Sequence, residues 1–457
     1  MRLRTIPVLL AAALTPVGAG AQPTPAPGYA IQSLPTPSVV AGGVVQRNGA
    51  LLVGQGAFGP GLQSIVRLEA GRAVTIATGF GGLGGFDLAA DGTLYVVDNC
   101  FAADFGCAEA TTGDTVYAIP DALSRTTALD AADAELLPPG SIGFPFDVLS
   151  TPIGLLVSDA AGPGIGRVVR AETSGVTDVA TGLDYAAGLA FEDPSLYVAN
   201  LGGDFTGAVH EFVAGSPLGA LVDGLAGAAG LALDGDGDLL LGAGNALLSV
   251  DAAGSATPLA TGFGFAGDVA YDADREEALV LDFGASAVTV VCADDDGDGV
   301  CDATCDDGPL LEDARLSLKP GRNGGAGSLK LRAELRVDGG LTADPSEEGM
   351  RLQLLDADGV RVLDVLLPAE RWRARKRGWR FRDRSGALMV TDVKVVRARG
   401  DDGLVRVAVR SRKRFAVGLA GLAFPLRAVV ALDPLGECGA SAFAGCETEA
   451  RGAVVCE

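Results

Sequence analysis

A unit with a period near 40 residues recurs six times in the first two-thirds of this 457-residue chain, and few folds can be built from such a unit. Each copy has a small or apolar opening, an alternating strand, a turn with Asp or Gly, and a strong apolar strand closed by a polar or small residue. The clearest reads Gly-Phe-Asp-Leu-Ala-Ala-Asp-Gly-Thr-Leu-Tyr-Val-Val-Asp at 85–98. Others lie at 145–159, 186–200, 228–243 and 266–282, with a weaker copy at 42–55. The strand-closing positions are Gln55, Asp98, Asp159, Asn200, Ala243 and Asp282, spaced 43, 61, 41, 43 and 39 residues apart. Four short strands per unit at this period predict a β-propeller, and six copies predict a six-bladed one. The spacing of 61 marks an insertion at 99–141 in the second unit. The sixth copy lacks a fourth strand, while the alternating segment 29–34 belongs to no unit. That segment is expected to close the sixth sheet, because an open edge invites pairing with other chains.

The charge divides the chain near residue 310. Residues 1–310 carry 9 Lys and Arg against 38 Asp and Glu, whereas 311–457 carry 26 against 20. So acidic a first part argues against nucleic acid or anionic lipid as its partner, and the acidity also serves solubility. Residues 1–21 read as a secretory signal peptide. Arg2 and Arg4 precede an apolar run from 6 to 14, and Ala-Gly-Ala at 19–21 suits cleavage. The run is too short to span a bilayer, and no other segment is long and apolar enough. The expected location is secreted or periplasmic, so the 8 cysteines are expected in disulfides, Cys100 with Cys107 among them. Residues 22–28 are expected to be a flexible leader, 29–292 the propeller, 293–310 an Asp- and Cys-rich linker, and 311–457 an antiparallel β-sandwich of about eight strands. The fold class is therefore all-β.

In the linker, Asp294, Asp296 and Asp298 alternate before Gly299, with Asp302 and Asp306 following. Alternate carboxylates converging on one cation, plus the Val300 carbonyl, make a calcium loop of structural role; a merely acidic linker is the plain alternative. The twelfth position is Cys305, so an EF-hand is incomplete. The motif looks like a thrombospondin type 3 repeat, in which calcium stiffens a linker.

The repeat resembles NHL-type and gluconolactonase-type propellers over 30–292. That resemblance implies a divalent metal at the top of the central channel, held by Asn, Asp and Glu at the opening of the inner strands. The matching positions, Phe86, Phe146, Ala187, Ala229 and Gly267, carry no ligating side chain. The next residues, Asp87, Asp147 and Asp268, form a candidate Ca²⁺ site in the channel; alternatively each satisfies backbone N–H groups. His210 is the single histidine and lies in an alternating strand, where it is expected to be structural. No nucleophile motif stands out, so no catalytic residue is assigned. The C-terminal region resembles a β module of uncharacterised exported proteins, carried by Gly-Trp-Arg-Phe-Arg-Asp at 378–383 and Glu-Cys-Gly-Ala-Ser-Ala-Phe at 437–443. Its cations between Arg371 and Arg384, with Trp372 and Trp379, could form a basic aromatic patch or simply a solvated face. The expected function is an exported, non-enzymatic binding or scaffold protein. Its propeller would engage a protein, a glycan or a small molecule. The alternative is a divergent metal-dependent, lactonase-like hydrolase with its site in the channel.

Overall fold

The structure, a computed structural model, describes residues 23–34, 36, 38–47, 50–69, 72–101, 107, 112–273, 275–294, 311–320, 327–337, 344–346, 349–355, 357, 361–383, 390–398, 403–415, 424–432, 438–443, 445–448 and 453–456. Among these residues there is no α-helix, only strands and short 3₁₀ turns. The chain divides into two compact units. One holds Met1–Ala26, Thr36–Arg67 and Ala73–Val291; the other holds Pro27–Pro35, Leu68–Arg72 and Cys292–Glu457.

Each copy of the repeat becomes one antiparallel sheet. The inner strands, from the first sheet to the sixth, are Val40–Arg47, Leu83–Leu88, Pro145–Thr151, Ala186–Glu192, Ala228–Leu233 and Ala266–Asp272. Each touches the next, and the sixth touches the first, so the inner strands form a closed ring, as a propeller requires. Apolar side chains fill the space between neighbouring sheets. Leu52, Ile65, Phe86, Leu94 and Tyr117 join the first two, and Ala199, Val209, Leu231 and Leu241 join the fourth and fifth.

In the second, third and sixth sheets the strand-closing aspartate, Asp98, Asp159 or Asp282, holds the sheet to the loop that opens it. The Asp98 carboxylate accepts N–H bonds from Gly81, Gly82 and Cys100 at 2.8–2.9 Å. Asp159 accepts from Gly143 and Phe144 and pairs with Arg167 at 3.0 Å. Buried N–H groups must find acceptors, which is why a polar residue recurs at the end of an apolar strand.

Three segments outside the repeat complete sheet edges. Tyr29–Leu34 lies outermost in the sixth sheet, beside Ala287–Ala293. Thr24–Pro25, within the stretch expected to be a flexible leader, pairs with Ala260 and Thr261 on the fifth sheet. In the insertion, Leu129–Asp130 runs parallel to Arg72–Phe80 of the first sheet. Residues 134–136 then follow Thr115–Ile119 through Ala118 N–H to Ala134 O and Leu136 N–H to Val116 O, both 2.8 Å. The Cys100–Cys107 disulfide stands in the same insertion.

In the second unit, two sheets enclose one core. The larger has eight strands in the order Trp372–Arg375, Gly378–Arg382, Asp392–Arg397, Leu404–Phe415, Gly327–Arg336, Glu312–Lys319, Val454–Cys456, Cys446–Thr448. The smaller has Arg361–Leu367, Met350–Leu355, Leu426–Ala431 and Cys438–Phe443. Leu318, Leu331, Trp372 and Val407 of the first meet Leu352, Leu363 and Phe443 of the second. About eight strands were expected and twelve are described, among them the charged hairpin Trp372–Arg375 and Gly378–Arg382 and the three-residue strands Cys446–Thr448 and Val454–Cys456. Cys446 pairs with Cys456, and Cys292 is also disulfide-bonded.

Candidate functional site

Every inner strand loses register with its neighbour at one place: between Val40 and Val44, Leu83 and Phe86, Pro145 and Val148, Ala186 and Leu189, Ala228 and Leu231, and Ala266 and Asp268. Such β-bulges bend a strand and re-aim its side chains. Beyond the bulge, Val44, Phe86, Val148, Leu189, Leu231 and Val269 all pair two residues before the strand-closing position, which makes them equivalent.

The residue just before each of these is Gly43, Gly85, Asp147, Gly188, Gly230 or Asp268. The four glycines sit against the next inner strand. A Cβ on Gly43 would lie 2.6 Å from Phe86 N, one on Gly85 1.9 Å from Asp147 Oδ1, one on Gly188 2.3 Å from Ala229 O, and one on Gly230 2.5 Å from Val269 N. Asp147 and Asp268 interrupt this glycine ring in the third and sixth sheets, on opposite sides of the channel. Each bridges to the next sheet: Asp147 accepts from Leu189 N–H at 2.8 Å, and Asp268 from Val44 N–H at 2.8 Å. Asp147 also accepts from Val148 N–H.

Asp87 does not belong to this ring. The shared Phe-Asp pair at 86–87 and 146–147 suggests equivalence, but the register places Phe86 level with Val148, so Gly85 is the counterpart of Asp147 and Gly84 that of Phe146. Asp87 lies two residues further along and accepts from Ser150 N–H at 2.7 Å. The backbone-satisfying role weighed for these three aspartates is thus present in all of them. Four glycines before an apolar residue were a visible sign of the ring that the Phe-Asp pair obscured.

The three aspartates line one cavity of 480 Å³ in the channel. Its walls are mixed: Phe86, Val148, Leu189, Phe191, Leu231 and Tyr271 contribute apolar side chains, and Gln46, Arg47, Asp272 and the aspartates contribute polar groups, the polar surface being the larger share. Asp272 is buried and held by Arg275 at 2.7 Å and by Gln46. Burial pushes the Asp147 carboxyl well above the usual range, and the Asp268 charge adds to this against the N–H bonds of Leu189 and Val148. Burial likewise raises Asp268 to about 7, opposed by the N–H groups of Val44 and Val269. Burial raises Asp87 too, while Ser150 N–H and Arg47 pull it down. The three carboxyls share the cavity, yet among the described residues no three His, Cys, Asp or Glu are grouped so as to hold a metal ion. Asp294 is described and buried, its N–H donating to Gly28 O at 2.9 Å; Asp296, Asp298, Val300, Asp302 and Asp306 lie outside the described residues. His210 pairs with Val198 and Ala220, away from the cavity lining, and burial lowers its pKa.

Asp268 makes folding depend on pH. In the unfolded chain it ionises near 3.8, in the fold near 7. At low pH both states hold the proton. Between the two values the unfolded chain releases it and the fold does not, so stability falls as pH rises toward 7 and levels off above. Asp268→Asn should remove this slope, read as the difference in thermal midpoint between parent and variant from pH 4 to 8; parallel curves would refute it.

No family model matches the chain, and no curated protein matches it. Among solved structures it is similar to the calcium-binding protein regucalcin from Agrobacterium tumefaciens, at 14% identity over 58% of this chain and 94% of that one, with a TM-score of 0.44. A gluconolactonase from Xanthomonas campestris shares 13% identity over 61% and 99%, with a TM-score of 0.37. The WD40 β-propeller domain of Doa1 shares 10% over 59% and 98%, with a TM-score of 0.41. Values of this size bring nothing to the chemistry of the site, which rests on the residues above.

Proposed function

We propose that the chain is an exported binding protein whose propeller channel takes a small ligand with an apolar body and a cationic group. One observation carries this: the opposed carboxyls of Asp147 and Asp268 and a set of apolar side chains line one cavity of 480 Å³, a size that suits a small molecule. Ionising a buried carboxyl alone is costly, and an ammonium group beside it offsets that cost. None of the described lining residues is Ser, Cys or His. Export rests on residues 1–21; the disulfides Cys100–Cys107 and Cys446–Cys456 agree with an oxidising compartment, and no helix among the described residues is long and apolar enough to cross a membrane.

Titration of the full chain with phenethylamine at pH 6 and pH 8 tests the reading. Binding should strengthen as pH passes about 7, because the carboxyls must ionise to pair. Asp147→Asn and Asp268→Asn should each weaken it about tenfold. Binding indifferent to both substitutions would remove the reading.

Metal-dependent hydrolysis is a second reading, favoured by the carboxyl raised to about 7, which suits proton transfer near neutral pH. Lactone turnover that disappears in Asp147→Ala would support it, and lactones left intact in the presence of Ca²⁺, Zn²⁺ and Mn²⁺ would count against it. Calcium at Asp294–Asp306 is a separate proposal resting on sequence spacing. Terbium luminescence should saturate with the parent chain and be lost in Asp296→Ala/Asp298→Ala; equal signals would dismiss it.

A further inference from the structure

The charges that line the channel cavity do not balance. Its charged lining residues are Arg47, Asp87, Asp147, Asp268 and Asp272. Asp272 is matched by Arg275 at 2.7 Å, and the Arg47 guanidinium acts on Asp87. The carboxyls of Asp147 and Asp268 have backbone N–H groups alone as partners among the described residues, Val148 and Leu189 for the first, Val44 and Val269 for the second. Residues 1–310 contain no lysine that could reach them. The nearby sheets spend their arginines elsewhere: Arg67 donates to Ala122 O and Arg125 O, Arg167 pairs with Asp159 and Asp178, and Arg170 with Glu172. Two carboxyls are thus left without a cation.

These two stand at one level, in the third and sixth of six sheets, so they lie across the channel from each other. The other four positions at that level are glycines, which place no third side chain between them. Asp147 feels the Asp268 charge, and like charges sharing one site oppose each other's ionisation. A single ammonium group relieves one carboxyl and leaves the other buried without compensation. A second cationic group removes that cost. An ionised carboxyl offers about four lone-pair sites; two backbone N–H bonds leave capacity for a donor from the channel. Two residues further along the inner strands stand Val45, Leu149, Ala190, Ala232 and Ala270, all in the cavity lining. Small apolar side chains there suit methylene groups and offer a hydroxylated body nothing to bond.

We propose that the channel takes an aliphatic diammonium ion, one ammonium group seated on Asp147, the other on Asp268, and the methylene chain between them. The inference rests on the cation-binding reading above and adds the second charge to it. The probes are the α,ω-diamines from 1,3-diaminopropane to 1,8-diaminooctane, each set against the monoamine of equal chain length. They are titrated into the full chain at pH 8 and physiological salt, where attraction to the acidic surface is screened. The diamine whose length matches the channel should bind about tenfold tighter than its monoamine. Asp147→Asn and Asp268→Asn should each erase that preference, while Asp223→Asn, on the exposed outer strand Ser216–Ala226, should keep it. Should Asp147→Asn fail to fold, Asp268→Asn and the length series on the parent chain carry the test. Diamines no tighter than monoamines, with phenethylamine still bound, would overturn this inference and leave the cation-binding reading standing. Failure of every amine to bind would end both. Release of the bound diamine by equimolar Ca²⁺ would mean that the pair seats a metal ion instead, and would also overturn it.

Discussion

Gly188→Ala is expected to destabilise the propeller by about 3 kcal/mol, more than most single methyl additions, and Gly188→Val by more still. The added Cβ would lie 2.3 Å from Ala229 O, 2.6 Å from Leu231 N and 2.9 Å from Gly230 C. All three are backbone atoms of the next inner strand, so no side chain can swing aside. In an open sheet the strand could retreat. Here the inner strands form a closed ring, and Leu189 N–H is tied back to Asp147 on the preceding strand. Widening one seam strains the others. The thermal midpoint should fall by about 6–12 °C. Gly203→Ala is the control, because a Cβ there meets only Pro163 Cγ at 3.9 Å. If Gly188→Ala melts with the parent and the control, the tight seam is not what the geometry says it is.

That glycine ring shows where a sequence stops being readable. The period, the apolar strands and the polar residues that close them are composition along the chain, and they sort Gln55, Asp98, Asp159, Asn200, Ala243 and Asp282 into equivalent places that the sheets retain. The orphan strand Tyr29–Leu34 was legible for the same reason, as alternation without a unit. A bulge is different, because it is a backbone count, and one repeated dipeptide can disguise it. Asp87 was therefore aligned with Asp147 when its level in the channel is two residues on. The larger sheet of the second unit is illegible for a further reason: Gly327–Arg336 lies between Leu404–Phe415 and Glu312–Lys319, and chain order says nothing of strand order. Charge suggested a basic aromatic patch near 371–384, yet two of its members, Trp372 and Trp379, are buried.

Asp282→Ala is expected to cost about 4 kcal/mol, since a buried donor left without a partner costs about 1–3 kcal/mol and water reaches some of those exposed by the change. Asp282 is 1% exposed. Its Oδ1 accepts from Phe265, Gly284 and Ala285 N–H at 3.1, 2.9 and 3.1 Å, and its Oδ2 from Gly264 N–H at 3.1 Å. One carboxylate thus joins the loop that opens the sixth sheet to the turn that leaves its second strand. The two backbones are already in close approach there, a Cβ on Gly264 falling 2.5 Å from Gly284 Cα, so they cannot close further to fill the gap. Asp282→Asn should cost less, because Oδ1 survives as an acceptor and only Gly264 N–H then faces an amide donor. The fifth sheet carries Ala243 at this position, and there Gly244 N–H donates to Gly227 O as Phe283 N–H does to Phe265 O in the sixth. Hydrogen exchange gives the decisive readout. The amides of Gly264, Phe265, Gly284 and Ala285 should lose protection in Asp282→Ala ahead of those in Glu277–Asp282, which stay paired within the sheet. Protection retained at all four, with an unchanged midpoint, would mean that the strand-closing carboxylate is not what secures the loop.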